Sequence, residues 1–284
     1  MKLVQWFRRA PTMFDRGLAL ARAGKLRAAI DVFDEVLRAD GSFTPGFNAR
    51  GKANLLMGWH VQALRDFAAA VELDPACAEL YVNRGSAHLK LGQFVLAVAD
   101  FTRAIKLDPK DAIAYNNRGS AYNKLGQHQR AITDFNRAVS LNPKYAGAFS
   151  NRGTAYRHLG DLNHAFADYE QAIKVNPKSA TALVNRGSAY HHLGEYERAV
   201  EDFSEAIRRD KRLASAHFAR SLAYRKLGDV ELAANDMREA LLLDPEMAER
   251  HAEQRRRAVG RIRRNRLRRG PTRFTTVRGD VPAT

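Results

Sequence analysis

The chain has 284 residues and a formal net charge of +16, with 45% hydrophobic and 27% charged residues. Length alone predicts two globular domains. The single cysteine, Cys77, excludes an internal disulfide and a cysteine-ligated metal cluster, so we expect it to be a small buried residue.

Residues 1–9 form an N-terminal extension. It has no uninterrupted apolar stretch before Arg8 and Arg9, so it does not resemble a secretory signal. No segment is long enough to span a membrane, and we expect a cytoplasmic protein. We expect Trp6 and Phe7 to cover the open end of the following unit rather than to insert in lipid.

A glycine then recurs every 34 residues along almost the whole chain. These glycines are Gly24, Gly58, Gly92, Gly126, Gly160, Gly194 and Gly228. A period of this length indicates one supersecondary unit stacked repeatedly. The repeats therefore predict one elongated domain, in which each unit buries its apolar face on its neighbours, instead of two globular domains.

Small, bulky and proline positions keep the same period. A second set of glycines consists of Gly17, Gly51, Gly85, Gly119, Gly153 and Gly187, and the alanines are Ala29, Ala63, Ala97, Ala131, Ala165, Ala199 and Ala233. The bulky residues are Phe33, Phe67, Phe101, Phe135, Tyr169, Phe203 and Met237, and the prolines are Pro75, Pro109, Pro143, Pro177 and Pro245. Small residues allow two helices to approach closely, and the bulky residues are their expected partners.

The fourth unit shows how the pattern predicts two helices. Tyr115, Gly119 and Tyr122 lie on one face of its first helix. Gly126 follows the last periodic residue, where a left-handed glycine ends a helix. The second helix should stop before Pro143, because the residue preceding a proline is disfavoured in helical conformation.

These residues and their spacing resemble the tetratricopeptide repeat, a helix-turn-helix of 34 residues. The resemblance covers residues 10–247 and implies an all-α, right-handed superhelical solenoid of seven helix-turn-helix repeats. The predicted repeats are 10–43, 44–77, 78–111, 112–145, 146–179, 180–213 and 214–247. Departures lie mostly in the end units, which have one neighbour each: Gly41 and Lys211 replace proline, Ser221 replaces glycine and Met237 replaces phenylalanine.

The resemblance also implies that the first helix of each unit lines a concave groove where partners bind. In four consecutive units the outward stripe of this helix combines an asparagine, a hydroxyl and a basic residue. We call this the polar stripe, and its members are Asn83, Ser86, Lys90, Asn117, Ser120, Lys124, Asn151, Thr154, His158, Asn185, Ser188 and His192. Because an asparagine amide both donates and accepts, each one can bind a peptide unit of an extended chain.

The basic residues of the stripe, together with Lys226, favour an acidic or phosphorylated ligand. The alternative is a solvated face that duplication has copied four times. Lysine is absent where a clamp for C-terminal carboxylates would need it, so that function is not carried over. The residues found there are Phe14, Asn48, Val82, Asn116, Ser150, Val184 and Phe218.

Arginines and aspartates form another pair of ladders. Arg16, Arg50, Arg84, Arg118, Arg152, Arg186 and Arg220 lie in first helices, and Asp66, Asp100, Asp134, Asp168, Asp202 and Asp236 lie in second helices. They are interpreted either as a row of anion-binding arginines or as a pair within each unit that sets how its helices meet. We favour the pair, because both members recur at the same spacing.

The sequence predicts no enzyme and no cofactor. It has no phosphate-binding glycine loop and no nucleophile accompanied by a base. His158, His191 and His192 do not suggest a metal site, because adjacent helical residues point about 100° apart and no carboxylate or cysteine accompanies them in register.

The C-terminal segment differs from the repeats, since residues 248–284 contain twelve arginines against three acidic residues. Helical spacing predicts a capping helix over residues 248–262, followed by a basic, disordered tail over 263–284. Six of the twelve arginines are candidates for binding the phosphates of nucleic acid or of an anionic membrane, namely Arg261, Arg263, Arg264, Arg266, Arg268 and Arg269. A merely solvated tail is the alternative.

The sequence therefore predicts a non-enzymatic scaffold that holds an extended peptide segment of a partner protein in its concave groove and mediates complex assembly. The second hypothesis is a nucleic-acid-associated adaptor, in which the arginine-rich segment provides affinity and the repeats recruit a protein.

Overall fold

The elements are α-helices that pair in the order in which they occur along the chain. The structure is a computed structural model; it describes residues 2–247 and 249, with side chains from residue 12 onward. The helices are α1 (Lys2–Arg22), α2 (Leu26–Ala39), α3 (Thr44–Leu56), α4 (His60–Leu73), α5 (Ala78–Lys90), α6 (Phe94–Leu107), α7 (Ala112–Lys124), α8 (His128–Leu141), α9 (Ala146–Leu159), α10 (Leu162–Val175), α11 (Ala180–Leu193), α12 (Tyr196–Arg209), α13 (Ala214–Leu227) and α14 (Val230–Leu243). No strand occurs in the described part of the chain.

Two layers result from the way these helices pack. Each helix contacts the next along the chain, and each odd-numbered helix also contacts the next odd-numbered one. No two even-numbered helices contact each other within the described range. The odd-numbered helices therefore form an inner, concave layer and the even-numbered helices an outer layer, as expected for an all-α repeat solenoid.

Two details at the N-terminal side differ from expectation. The first helix begins at Lys2, so residues 2–9 continue the first unit as helix rather than preceding it. Cys77 is only partly buried, because it lies just before α5 where the chain turns at the surface.

The periodic glycine ends the first helix of every unit. All seven glycines have positive φ, from 73° to 90°. No protein atom lies within 4 Å of the Cβ that a side chain would add at Gly126. Backbone conformation rather than packing thus requires glycine at this position, which confirms the prediction of a left-handed helix end.

The second set of glycines serves close packing. A Cβ built at Gly119 would lie 2.8 Å from Cε1 of the buried Phe135, and the equivalent distance in the other five units is 2.5–2.8 Å. An aromatic ring of the second helix therefore rests directly on the backbone of the first. In unit seven both partners change, to Ser221 and Met237.

An aspartate or asparagine, rather than proline alone, turns the chain between units. The Oδ1 atom of Asn142 accepts from the backbone N–H of Lys144 at 3.0 Å. The same turn occurs at Asp40, Asp74, Asp108, Asn176 and Asp210. Units one and six, which have Gly41 and Lys211 where others have proline, therefore end their second helix in the same way.

The arginine and aspartate ladders form ion pairs inside units two to seven. From Arg50 to Arg220, Nε and Nη2 donate to the partner carboxylate at 2.6–3.2 Å. The aspartates are 4–6% exposed. This confirms the structural interpretation and removes these arginines from the candidate ligand-binding residues.

The same arginines also connect neighbouring units. Nη1 of Arg152 donates to Oδ1 of Asn136, in the second helix of the preceding unit, at 2.8 Å. Equivalent bonds join Arg50 to Asp34, Arg118 to Thr102 and Arg220 to Ser204. Each of these guanidinium groups thus ties three helices together.

Candidate functional site: the inner surface of the repeats

The polar stripe lies on the inner layer, on helices α5, α7, α9 and α11. Its four asparagines are partly buried between neighbouring inner helices, and Lys90, Lys124, His158 and His192 are exposed at the end of each helix. The twelve residues therefore share one continuous face.

Three of the asparagines bridge adjacent units. The Nδ2 atom of Asn83 donates to Oδ1 of Asn48 at 2.8 Å, and Nδ2 of Asn185 donates to Oγ of Ser150 at 2.8 Å. Asn151 donates in the same way to Asn116 at 2.9 Å. These amides help to hold the inner helices together, which gives a structural reason for their recurrence.

Asn117 is the exception among the four. The residue that lies 35 positions before it is Val82, which has no acceptor in its side chain. Asn117 instead accepts from Nδ2 of the adjacent Asn116 at 3.2 Å. Both amide hydrogens of Asn117 are therefore without an acceptor in the described structure.

The hydroxyl groups of the stripe are bonded within their own helices. Ser86, Ser120, Thr154 and Ser188 donate to the backbone carbonyl four residues earlier, at 2.7–3.0 Å. A ligand can therefore meet these oxygens as acceptors, but their hydrogens are already used.

The exposed ends of the inner helices differ in charge. Among the described residues, no carboxylate oxygen lies within 4 Å of the ammonium groups of Lys90, Lys124 or Lys226. The ring of His158 stacks on His128, with centroids 4.8 Å apart. Partial burial and the nearby charges of Arg157, His128 and Lys124 lower the pKa of His158, which disfavours its charged form.

The two layers have opposite electrostatic character. Glu79 is the only acidic residue in the six inner helices from α3 to α13. It is already paired with Lys52, whose hydrogen bond, opposed by burial, lowers the pKa of Glu79. Every outer helix contains at least one acidic residue. From α3 to α13 the inner surface is therefore positive and has little carboxylate to repel an acidic ligand, whereas α1 contains the exposed Asp15.

Sequence reasoning missed the acceptors that receive the asparagine bridges. From the sequence, Asn48, Asn116 and Ser150 are considered only as positions of a carboxylate clamp, and they are not predicted to accept hydrogen bonds from the polar stripe. The available signal was a spacing of 35, one more than the repeat period, between each acceptor and the asparagine that donates to it.

Several predicted features lie outside the described residues. The six tail arginines from Arg261 to Arg269 are among them, as are the capping helix and the tail. Within the described range no group of three or more His, Cys, Asp or Glu side chains is arranged to hold a metal ion. No described helix is both long and apolar enough to cross a membrane.

Known proteins provide an independent comparison. Models described as tetratricopeptide repeat match residues 61–112, 82–146, 150–214 and 214–247, which is more than half of the chain. No curated protein matches the sequence significantly.

Solved structures show the same architecture. A crystal structure of MamA is 27% identical, with a TM-score of 0.53 over 60% of this chain and 93% of MamA. A tetratricopeptide repeat protein from Parabacteroides merdae is 18% identical, with a TM-score of 0.73 over 84% of this chain and 94% of that one. PilW, a type IV pilus biogenesis factor, is 20% identical, with a TM-score of 0.64 over 70% and 92% of the two chains. The last two show likeness of fold alone, and the family-model matches lead to the conclusion that this chain belongs to the tetratricopeptide repeat family, whose members bind protein partners as scaffolds.

Proposed function

We propose that the chain holds an extended, acidic segment of a partner protein along the polar stripe and assembles a complex without catalysing a reaction. The observation that carries this proposal is the charge of the inner layer. The inner helices α3, α5, α7, α9, α11 and α13 contain a single acidic residue, already paired, beside lysines that have no acidic partner among the described residues. A ligand rich in aspartate and glutamate is the complement of such a surface.

The asparagines still offer groups to a ligand. Each Nδ2 has two hydrogens, and Asn151 and Asn185 each donate to the neighbouring inner helix, whereas Asn83 interacts with Glu79 as well as with Asn48. The remaining N–H and the carbonyl oxygen can bind the backbone of an extended peptide. Inner helices spaced about 8–10 Å apart match about three residues of such a peptide.

The stripe lacks the arrangement that nucleophilic catalysis requires. The hydroxyl of Ser120 donates to the carbonyl of Asn116, at 2.9 Å, rather than to a base. The other three hydroxyls are held in the same way. This supports a binding role rather than a catalytic role for the groove.

Peptide selection followed by charge reversal tests the proposal. Random peptides of about twelve residues, long enough to cross four inner helices, are selected on the full chain, and the best binder is titrated by fluorescence anisotropy. We expect the selected peptides to be acidic. The variant Lys90→Glu/Lys124→Glu should weaken binding by about tenfold or more, because two cations of the stripe become anions.

A matched variant controls for net charge. Lys106→Glu/Lys174→Glu makes the same change on exposed positions of the outer helices α6 and α10. We expect it to change affinity less than about twofold. Equal losses in both variants, or no loss in either, would contradict binding along the stripe.

A second candidate is the nucleic-acid-associated adaptor, favoured by the twelve arginines in residues 248–284. It predicts that the full chain binds single-stranded or duplex nucleic acid with affinity that falls steeply as salt rises. A chain ending at Met247 should then lose this binding and keep the selected peptide. Retention of nucleic acid by the shortened chain would contradict the adaptor hypothesis.

A further inference from the structure

A pocket of about 460 Å³ opens on the inner surface between α1 and α3. Its apolar lining is formed by Phe14, Leu18, Phe33, Ala49, Ala53 and Leu56. Phe33 is fully buried. The volume lies within the range of about 300–1,000 Å³ that is common for ligand sites, and it is large enough for one bulky side chain.

Leu56 interrupts a row of basic residues on the inner surface, which begins with Arg22 in unit one. It occupies the repeat position that holds Lys90, Lys124, His158 and His192 in the next four units. The leucine is 73% exposed, so the fold itself does not require an apolar side chain there. An apolar group at an exposed position of a binding groove is consistent with contact to a ligand.

The polar edge of the pocket consists of Arg22, Asn48, Lys52 and Glu79, and Glu79 is bonded to both Asn48 and Lys52. The hydrogen bond that Nδ2 of Asn48 donates to Glu79 measures 3.3 Å. Oδ1 of Asn48 accepts from Asn83, the first asparagine of the polar stripe. This edge therefore presents an ion pair, and Asn48 connects the pocket to the polar stripe.

We propose that this pocket receives one large apolar side chain, of the size of leucine or phenylalanine, from the same partner segment that lies along the polar stripe. The proposal rests on the proposed groove function and defines its ligand more closely. One spacing between inner helices separates the pocket from Asn83, so the apolar residue lies about three positions from the peptide unit bound there. The acidic residues of the partner segment then lie toward Lys90 and Lys124.

Charge favours an acidic segment of another protein over the chain's own terminal segments. The chain's own segments outside the repeats are basic: residues 2–9 contain one lysine and two arginines, and residues 248–284 contain twelve arginines. A second copy would bring these same segments to a positive inner surface, where like charges repel. An acidic segment with an apolar residue has no such penalty.

A double-mutant cycle between protein and peptide tests the pocket. The probe is a labelled peptide of about twelve residues, with one phenylalanine about three positions from a run of acidic residues. Two versions are made, with the phenylalanine on the N-terminal or the C-terminal side of the run, so that both directions of the peptide in the groove are tested. Phe→Ala in the peptide should weaken binding to the full chain by about tenfold or more, since burial of a large apolar side chain contributes at least that much. Leu56→Lys, which copies the residue of the next unit, should reduce this ratio to about threefold or less, because an ammonium group then occupies the mouth of the pocket.

Val95→Lys is the matched control, because Val95 is 69% exposed on the outer helix α6. It should leave the Phe/Ala ratio unchanged. If the affinities of the Phe and Ala peptides are equal in both directions, the pocket proposal is overturned. If the affinity of acidic peptides still depends on Lys90 and Lys124 in that case, the proposed groove function is retained. The reverse result, a ratio that depends on Leu56 without dependence on these lysines, keeps the pocket and rejects the acidic groove. A dimer that Leu56→Lys dissociates would show that a second copy fills the pocket, which also overturns the proposal.

Discussion

Units three to six and units one and two share one helix interface but present different inner surfaces. In both regions a glycine lies against an aromatic ring, as Gly51 does on Phe67 and Gly119 on Phe135. At the exposed position where unit three has Lys90, unit two has Leu56, which lines an apolar pocket, while unit one keeps a basic residue, Arg22. The interface varies little because close packing tolerates few changes, whereas the inner surface can vary with the ligand.

The largest expected effect separates paired from unpaired arginines. Arg118→Ala leaves Asp134, 4% exposed, without its ion-pair partner, and should lower the free energy of unfolding by about 3 kcal/mol. Arg16→Ala should change it by less than about 0.5 kcal/mol, because Arg16 is exposed and Val32 occupies the repeat position of the aspartate. Urea denaturation followed by circular dichroism measures both. Similar losses would mean that the ion pair is not what stabilises the unit.

The next effect tests why unit seven departs from the others. Gly187→Ser should cost about 1–3 kcal/mol, because its Cβ would lie 2.7 Å from Cε1 of Phe203. Adding Phe203→Met copies the Ser221 and Met237 combination of unit seven. The double variant should recover about 1 kcal/mol relative to the sum of the single changes. Additive losses in thermal unfolding would show that the two departures are independent.

A smaller effect distinguishes the asparagines that bridge units from the one that does not. Asn151→Ala removes the hydrogen bond to Asn116 and should lower stability by about 1 kcal/mol. Asn117→Ala removes only a contact within α7 and should cost less. Their urea midpoints and their affinities for the selected peptide are compared. If Asn117→Ala weakens peptide binding without loss of stability, the amide of Asn117 binds the ligand. If the two variants have the same stability and the same affinity, the bridges between units have no measurable role.

The smallest effect concerns pH and the basic edge. The pKa of His158 is lowered by partial burial and neighbouring positive charge, and that of His191 mainly by burial. The unfolded chain therefore takes up protons more readily as pH falls through about 6.5. The contribution of these histidines to stability should be complete above that pH. It should decline below it, as the pH falls toward their lowered pKa values in the folded protein. The melting temperature of His158→Gln should depend less on pH than that of the parent; an unchanged slope would place the proton uptake elsewhere.

The repeat pattern predicted the helical interface well. Gly126 and Phe135 follow from the 34-residue period, and so does the pairing of Arg118 with Asp134, because both members recur together. The start of α1 was predicted less well. A repeat period marks where units correspond, and it does not mark where a helix extends beyond the first unit.

Local sequence determined the seven units, the left-handed glycines and the residues of each helix interface, because these depend on backbone conformation and on contacts within a unit. Tertiary structure decided which groups of the inner surface bond to a neighbouring unit. The bridge from Asn151 to Asn116 and the contact of Arg152 with Asn136 cross from one unit to the next. The pocket between α1 and α3 likewise requires two stacked units. Such features depend on how far one helix is displaced along its neighbour, which the spacing of residues within one repeat does not specify.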